Sequence, residues 1–196
     1  MRTNWLEQML NIANFFRKFG PSGRKAAELY GSIVAQARQP AFYAVTGVPD
    51  TANGRYEMVV LHLAAVLEAL RRHEGGGGPL GRALTEAFVT DMDDSMREMA
   101  VGDMSVPRKV KKVAAGLRER TLAYRAAAEQ GETGFATALA EFFEVQPTDP
   151  LAVNLSRYAL GMWSQLAETP AQSDVRQGRV SFPDAEAATA LGERSP

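Results

Sequence analysis

The apolar residues of this chain recur at helical spacing in one segment after another, and no stretch alternates apolar and polar residues with the two-residue period of a strand. That one property restricts the chain to helix-on-helix packing. Residues 24–38 place Ala27, Tyr30, Ile33, Val34 and Ala37 on one face, and residues 55–74 do the same with Tyr56, Val59, Val60, Leu63, Leu67 and Leu70. Further helices are expected over residues 80–101, from a start signal at Asp103 or Ser105 with Pro107 in the first turn to about residue 130, over 135–145 and over 151–167. The stripe of the long helix ending near residue 130 is Val110, Val113, Leu117 and Tyr124. Glycine and proline punctuate these segments: Gly20-Pro21-Ser22-Gly23, Pro40, the glycines of 75–78 with Pro79, Gly131 to Gly134, Pro147 and Pro150. Residues 39–54, with two prolines, two glycines and no helical period, are expected to be a structured loop.

A length of 196 residues lies near the upper end of what one core serves, so the expectation is an all-α fold: a single helical domain of about seven helices. The organisation expected is an amphipathic N-terminal helix over 1–20, a helical domain over 21–167 and a polar, partly ordered C-terminal tail over 168–196, with one short candidate helix at 183–191. In the N-terminal segment Trp5, Leu6, Met9, Leu10, Ile12, Ala13, Phe15, Phe16 and Phe19 share one broad side of a helix, opposite Glu7, Gln8, Asn11, Asn14 and Lys18. This face either packs on the protein's own core or meets a membrane surface or another protein. The second reading draws on the aromatic content and on nearby cations, and makes Trp5, Phe15, Phe16, Arg17, Lys18 and Phe19 the candidate membrane contacts. No run approaches the roughly 18 consecutive apolar residues of a membrane span. With no secretory h-region either, a cytoplasmic protein, peripheral on the inner membrane at most, is expected.

The residue inventory removes several chemistries. There is no cysteine, hence no disulfide, thiol nucleophile, iron-sulfur cluster or thiolate zinc site. The two histidines, His62 and His73, lie on one helix about 16 Å apart along its axis and cannot share a metal. His62, among Leu61, Leu63 and Val66, reads as a satisfied core histidine. The stretch 91–98 offers Asp91, Asp94 and Glu98 on one helix face, a candidate carboxylate site for a hard cation or for acid-base chemistry. Met96 nevertheless stands where a calcium loop needs glycine, and no Glu-x-x-His motif is present. A solvated or ion-paired face and a partner-binding face are the alternatives. No serine sits in a nucleophile elbow and no phosphate-cradling glycine motif follows a strand. No cofactor and no resident metal are therefore expected.

A net charge of −1 conceals two opposed patches. Asp91, Asp93, Asp94, Glu98 and Asp103 form an acidic stretch, followed by Arg108, Lys109, Lys111, Lys112, Arg118, Arg120 and Arg125. No aromatic interleaves the basic cluster and acidic residues adjoin it, so nucleic acid is not an expected partner.

Two long elements, LYGSIVAQARQPAFYAVTGVPDTANGRYEM at 29–58 and FVTDMDDSMREMAVGDMSVPRKVKK at 88–112, resemble the ubiquinol-cytochrome c chaperone family. The resemblance implies an all-helical, non-catalytic protein that acts in assembly of the cytochrome bc1 complex by engaging newly made cytochrome b. It further implies, for mitochondrial members, a small partner protein and work near the ribosome; this chain resembles a bacterial member.

Read together, the residues and the resemblance lead to an assembly chaperone, not an enzyme, whose partner is cytochrome b or another respiratory membrane protein. A small partner protein and a membrane surface are further expected contacts. A client with membrane-spanning helices needs temporary cover for apolar surface, which a helical groove lined by aromatic and Met side chains supplies. The candidate client-binding residues are Phe42, Tyr43, Pro49, Asp50, Arg55, Tyr56, Met58, Asp91, Asp93, Met96, Arg97, Glu98, Met99, Asp103, Lys109 and Lys112. The aromatic and Met members fit a core equally well, and Arg55, Asp91, Asp93, Arg97, Glu98 and Asp103 fit an internal ion-pair network fixing the loop against the helices. A peripheral membrane scaffold and a carboxylate-dependent enzyme using residues 91–98 are the rival functions.

Overall fold

The computed structural model describes residues 20–74, 78–98 and 106–186. Eight helices and no strand occur among them: α1 (Gly20–Ala37), α2 (Pro40–Ala44), α3 (Ala52–Glu74), α4 (Gly78–Glu98), α5 (Val106–Glu129), α6 (Gly131–Phe143), α7 (Pro150–Ala167) and α8 (Thr169–Arg176). The all-α expectation is met. The amphipathic helix expected over 4–19 lies outside the described residues.

Helix α3 is the axis of the fold, packed against α1, α4, α5, α6, α7 and α8. Its sequence explains the position, because residues 57–66 carry apolar side chains on every face apart from Glu57 and His62, and each of the ten is buried. A helix that is apolar all round has no solvent face to offer. The two buried polar groups are satisfied by partners from other helices. His62 Nδ1 bonds the Met58 carbonyl at 2.7 Å and its Nε2 bonds the Tyr158 hydroxyl at 2.8 Å, while Gln36 Nε2 donates to that hydroxyl at 3.0 Å. A carbonyl can only accept, so Nδ1 carries the proton and Tyr158 donates to Nε2. Burial, against a smaller opposing pull from the Met58 carbonyl, lowers the His62 pKa to about 4 and keeps the ring neutral.

A second aromatic group, Tyr124, Phe135, Phe142 and Trp163, fills the space between α5, α6 and α7. Helix α7 begins as its sequence dictates, with Pro150 in the first turn and the Asp149 carboxylate accepting from Leu151 N at 2.9 Å.

Three details depart from expectation. The loop over 39–54 contains the short helix α2, and α3 starts three residues before Arg55 because Thr51 Oγ1 accepts from Gly54 N at 3.1 Å and supplies a cap. Gly131 to Gly134 are not a separator but the first turn of α6. The segment after Ala167 holds α8 and then an extended strap, whereas residues 183–186 of the candidate helix at 183–191 are not helical. Val175 and Ala185 of this segment are buried, Phe182 stacks edge-on against His62, and the carbonyls of Pro183 and Ser181 accept from Gln36 and Gln165. An apolar residue every few positions is enough to fasten a polar segment to the body.

Candidate functional site

The GVPDTANGRY element becomes a compact turn leading into α3. Gly47 has φ +88°, a left-handed conformation that a side chain disfavours, and Val48 buries its side chain while its N–H reaches the Phe42 carbonyl at 3.0 Å. The Pro49 carbonyl accepts from Thr51 N at 2.8 Å, and Arg55 N donates to the Thr51 carbonyl at 3.0 Å. Gly54 lies so close to Pro49 that a Cβ there would stand 2.0 Å from the Pro49 oxygen, so only glycine closes this turn. Gly47, Val48, Thr51 and Gly54 are thus consumed by the architecture. Asp50 and Arg55 are displayed by it, paired at 2.7 Å with more than half of each side chain exposed.

An open groove of about 630 Å³ lies beside this turn, lined by Arg38, Pro40, Tyr43, Ala44, Asp50 and Arg55. Val45, which follows Ala44, is 56% exposed and so presents an apolar side chain to solvent at the end of α2. Tyr43 donates to the Ala37 carbonyl at 2.8 Å, which fixes the ring in the wall of the groove. Its phenol is pushed above the ordinary range by burial, with the Arg55 charge opposing. The hydrogen bond from Arg55 holds the Asp50 carboxyl below its ordinary range. The surface therefore combines a permanently charged exposed pair, an aromatic ring and short apolar side chains.

Several candidate residues fall elsewhere. Phe42 and Met58 are fully buried; they belong to the core, a correction to the expectation that they line a client groove. Phe42 packs edge-on against His62 and Tyr158. Tyr56 is partly buried, beneath Arg120 and near Phe88, and Pro49 is exposed in the turn. Asp91 accepts from the Tyr30 hydroxyl at 2.7 Å, and burial raises its pKa against the pull of Tyr30 and Arg38. That bond ties α4 to α1. Arg55 meanwhile pairs with Asp50 of its own turn. Asp93 is partly buried on α4. The backbones of Met96, Arg97 and Glu98 belong to α4 and those of Lys109 and Lys112 to α5, but their side chains lie outside the described residues, as do Met99 and Asp103 and the candidate membrane contacts Trp5, Phe15, Phe16, Arg17, Lys18 and Phe19.

Two buried carboxylates went unforeseen. Glu57, 1% exposed, receives two hydrogen bonds of 2.6 Å from Arg120, whose guanidinium also sits 4.5 Å over the Phe142 ring. Glu68 receives Arg71, Arg72 and Arg125. Their sequence signal is a glutamate inside an otherwise apolar helix face, which demands a cationic partner from another helix. Among the described residues no group of three histidines or carboxylates is gathered closely enough to hold a metal, and no helix is long and apolar enough to cross a membrane.

What the described residues define is an all-helical body that displays one charged and aromatic groove beside a rigid turn. Residues 44–182 match the family described as Ubiquinol-cytochrome C chaperone, and the chain belongs to that family. It is similar to the crystal structure of the Cbp3 homolog from Brucella abortus, with a TM-score of 0.74 and 32% identity over 89% of this chain and 97% of that one. No curated protein matches the chain. The family match extends past Ala167 to residue 182, in keeping with a strap that packs on the body.

Proposed function

We propose that this protein is a non-catalytic assembly chaperone that holds cytochrome b during biogenesis of the cytochrome bc1 complex. The groove beside the GVPDT turn is its client contact, and the cytoplasmic face of the inner membrane is where it works. The single observation carrying this reading is that the family element at 47–56 spends its glycines, Val48 and Thr51 on building a turn whose product is a displayed surface: Tyr43, Asp50 and Arg55 around one open groove, with Val45 exposed next to Ala44 of its wall. Such a surface binds a segment with apolar and charged side chains without altering it. Charged groups at the rim of a groove favour release as much as capture, because they keep water competitive. A chaperone needs that reversibility.

The test is a photo-crosslinking amino acid placed at Val45 in the full chain, expressed in the native cell, with membranes isolated after irradiation. The expected product is an adduct to cytochrome b that is lost when the client gene is silenced. Absence of that adduct, with efficient crosslinking at the same position to other proteins, would replace cytochrome b as the client.

A further inference from the structure

We propose that a second groove, between α3, α4 and α5, binds a phosphate-bearing anion. It has a volume of about 410 Å³ and is lined by Leu67, Arg71, Arg82, Thr85, Thr121 and Arg125, with Gly78, Gly81 and Glu86 completing its wall.

The carboxylate that holds two of its arginines singles it out. Glu68, whose side chain is 3% exposed, accepts from Arg71 Nε and Nη2 at 2.8 and 2.7 Å, from Arg72 Nε at 3.1 Å and from Arg125 Nε at 2.9 Å. One carboxylate thus holds three guanidiniums, two of which, Arg71 and Arg125, line the groove, and Arg82 adds a third cation to its wall. Arg72 lies on the far side of Glu68 with Trp163, so the groove has Arg71, Arg82 and Arg125 against Glu86 and Glu68, one positive charge in excess. Arg71 and Arg125 use Nε and Nη2 on Glu68, so the Nη1 edge of each remains for another acceptor. Their side chains are 44% and 33% exposed, within reach of a ligand from solvent.

Preorganisation follows from the same contacts. Arginine loses much rotamer entropy on binding an anion, but here Glu68 has already fixed two of the guanidiniums, and this lowers the cost of capture. Cations reach the groove from three helices: Arg71 from α3, Arg82 from α4 and Arg125 from α5. A planar carboxylate engages one guanidinium fork, whereas the tetrahedral oxygens of a phosphate point in several directions and meet guanidiniums from several sides. The Thr85 and Thr121 hydroxyls donate to the Gly81 and Leu117 carbonyls, so specificity rests on the arginines. Leu67 supplies an apolar floor beside Gly81, able to take the carbon substituent of a phosphate ester. The ligand is either the headgroup of an anionic lipid or a soluble phosphate ester. This assignment is independent of the client proposed above, and its failure would leave that reading standing.

The experiment uses the full chain in two arms: co-sedimentation with vesicles of phosphatidylglycerol in phosphatidylcholine, and calorimetric titration with glycerol phosphate. Arg82→Glu is the main variant because Arg82 is exposed and makes none of the Glu68 contacts, and Arg125→Gln is the second; circular dichroism verifies their folds. A surface charge near an anionic bilayer changes binding by about fivefold, so the reversal at 82 is expected to weaken vesicle binding by roughly twentyfold. Arg179→Glu, an exposed reversal on the strap outside the groove's lining, should leave it within about twofold. Loss in the vesicle arm assigns a lipid headgroup, and loss in the glycerol phosphate arm alone assigns a soluble ester. Binding in neither arm, or binding in either arm that Arg82→Glu and Arg125→Gln both leave unchanged with no loss in the other, overturns the proposal.

Discussion

Replacing Arg120 with Met should destabilise the protein by an amount that depends on pH in a calculable way. Glu57 is 1% exposed and the Arg120 guanidinium donates to it through two bonds of 2.6 Å. Burial raises the Glu57 pKa more than the Arg120 hydrogen bonds and charge lower it, so without Arg120 only burial and the Glu119 charge act and the carboxyl folds in its protonated form. Starting from the ordinary value of 4.5, protonating it at pH 7 costs about 3 kcal/mol at 1.36 kcal/mol per unit. Loss of the cation over the Phe142 ring adds about 0.5 to 1 kcal/mol. The sum, about 4 kcal/mol, agrees with the roughly 3 to 5 kcal/mol typical of removing one partner from a buried pair. At pH 5 the protonation cost falls to below about 1 kcal/mol, so the variant should regain about 2.5 kcal/mol relative to the parent measured at the same pH. Glu57→Leu combined with Arg120→Met should lie within about 1.5 kcal/mol of the parent at both pH values. Urea unfolding followed by far-ultraviolet circular dichroism supplies all of these differences. A loss under about 1 kcal/mol at pH 7, or an equal loss at pH 7 and pH 5, would refute the reasoning.

Further outcomes are expected. Gly54→Ala should cost about 2 kcal/mol or more by forcing apart the turn at the Pro49 carbonyl, while Ala52→Ser nearby should cost under about 0.5 kcal/mol; thermal unfolding distinguishes them. His62 is held near pKa 4, below its unfolded value, so its contribution is complete above about pH 6.5 and lost as pH falls to about 4, at most about 3 kcal/mol; NMR of the imidazole should show a neutral ring to about pH 4. Burial raises the Glu68 carboxyl, but Arg71, Arg72 and Arg125 overcome it and hold the pKa at about 2, so its contribution disappears as pH falls from about 4.5 to 2, seen as a second acid-unfolding component absent in Glu68→Gln. Deleting residues 1–20 should leave a folded body with weaker co-sedimentation with anionic membranes; unfolding of the truncated chain would instead make the N-terminal segment part of the core.

The helices were legible because each buries a stripe at its own period, but the single stripe read on α3 hid its central place, which comes from apolar residues on every face of 57–66. The turn at 47–56 was legible as a motif but not as a mechanism: that Gly54 is excluded from carrying a Cβ depends on a carbonyl five residues away folding back upon it. Helix α2 was hidden because a proline start and five residues leave no period to count. Glu57 and Glu68 were overlooked because their partners, Arg120 and Arg125, stand 63 and 57 positions along the chain, and no local pattern encodes such pairing. Phe42 and Met58 illustrate the ambiguity of aromatic and Met side chains, which serve a core and a client groove alike until neighbouring helices cover them. Tyr43, one position from Phe42, points the other way into the groove wall, a distinction set by the orientation of α2 on the body.

The central claim is that this protein assists assembly of the cytochrome bc1 complex. Its most direct measurement is the amount of assembled complex and of haem b in membranes of a clean deletion strain, with transcripts of the complex quantified in parallel. The account predicts that both amounts fall while transcripts persist, and that the full chain restores them. Normal complex and normal haem b in the deletion strain would contradict it.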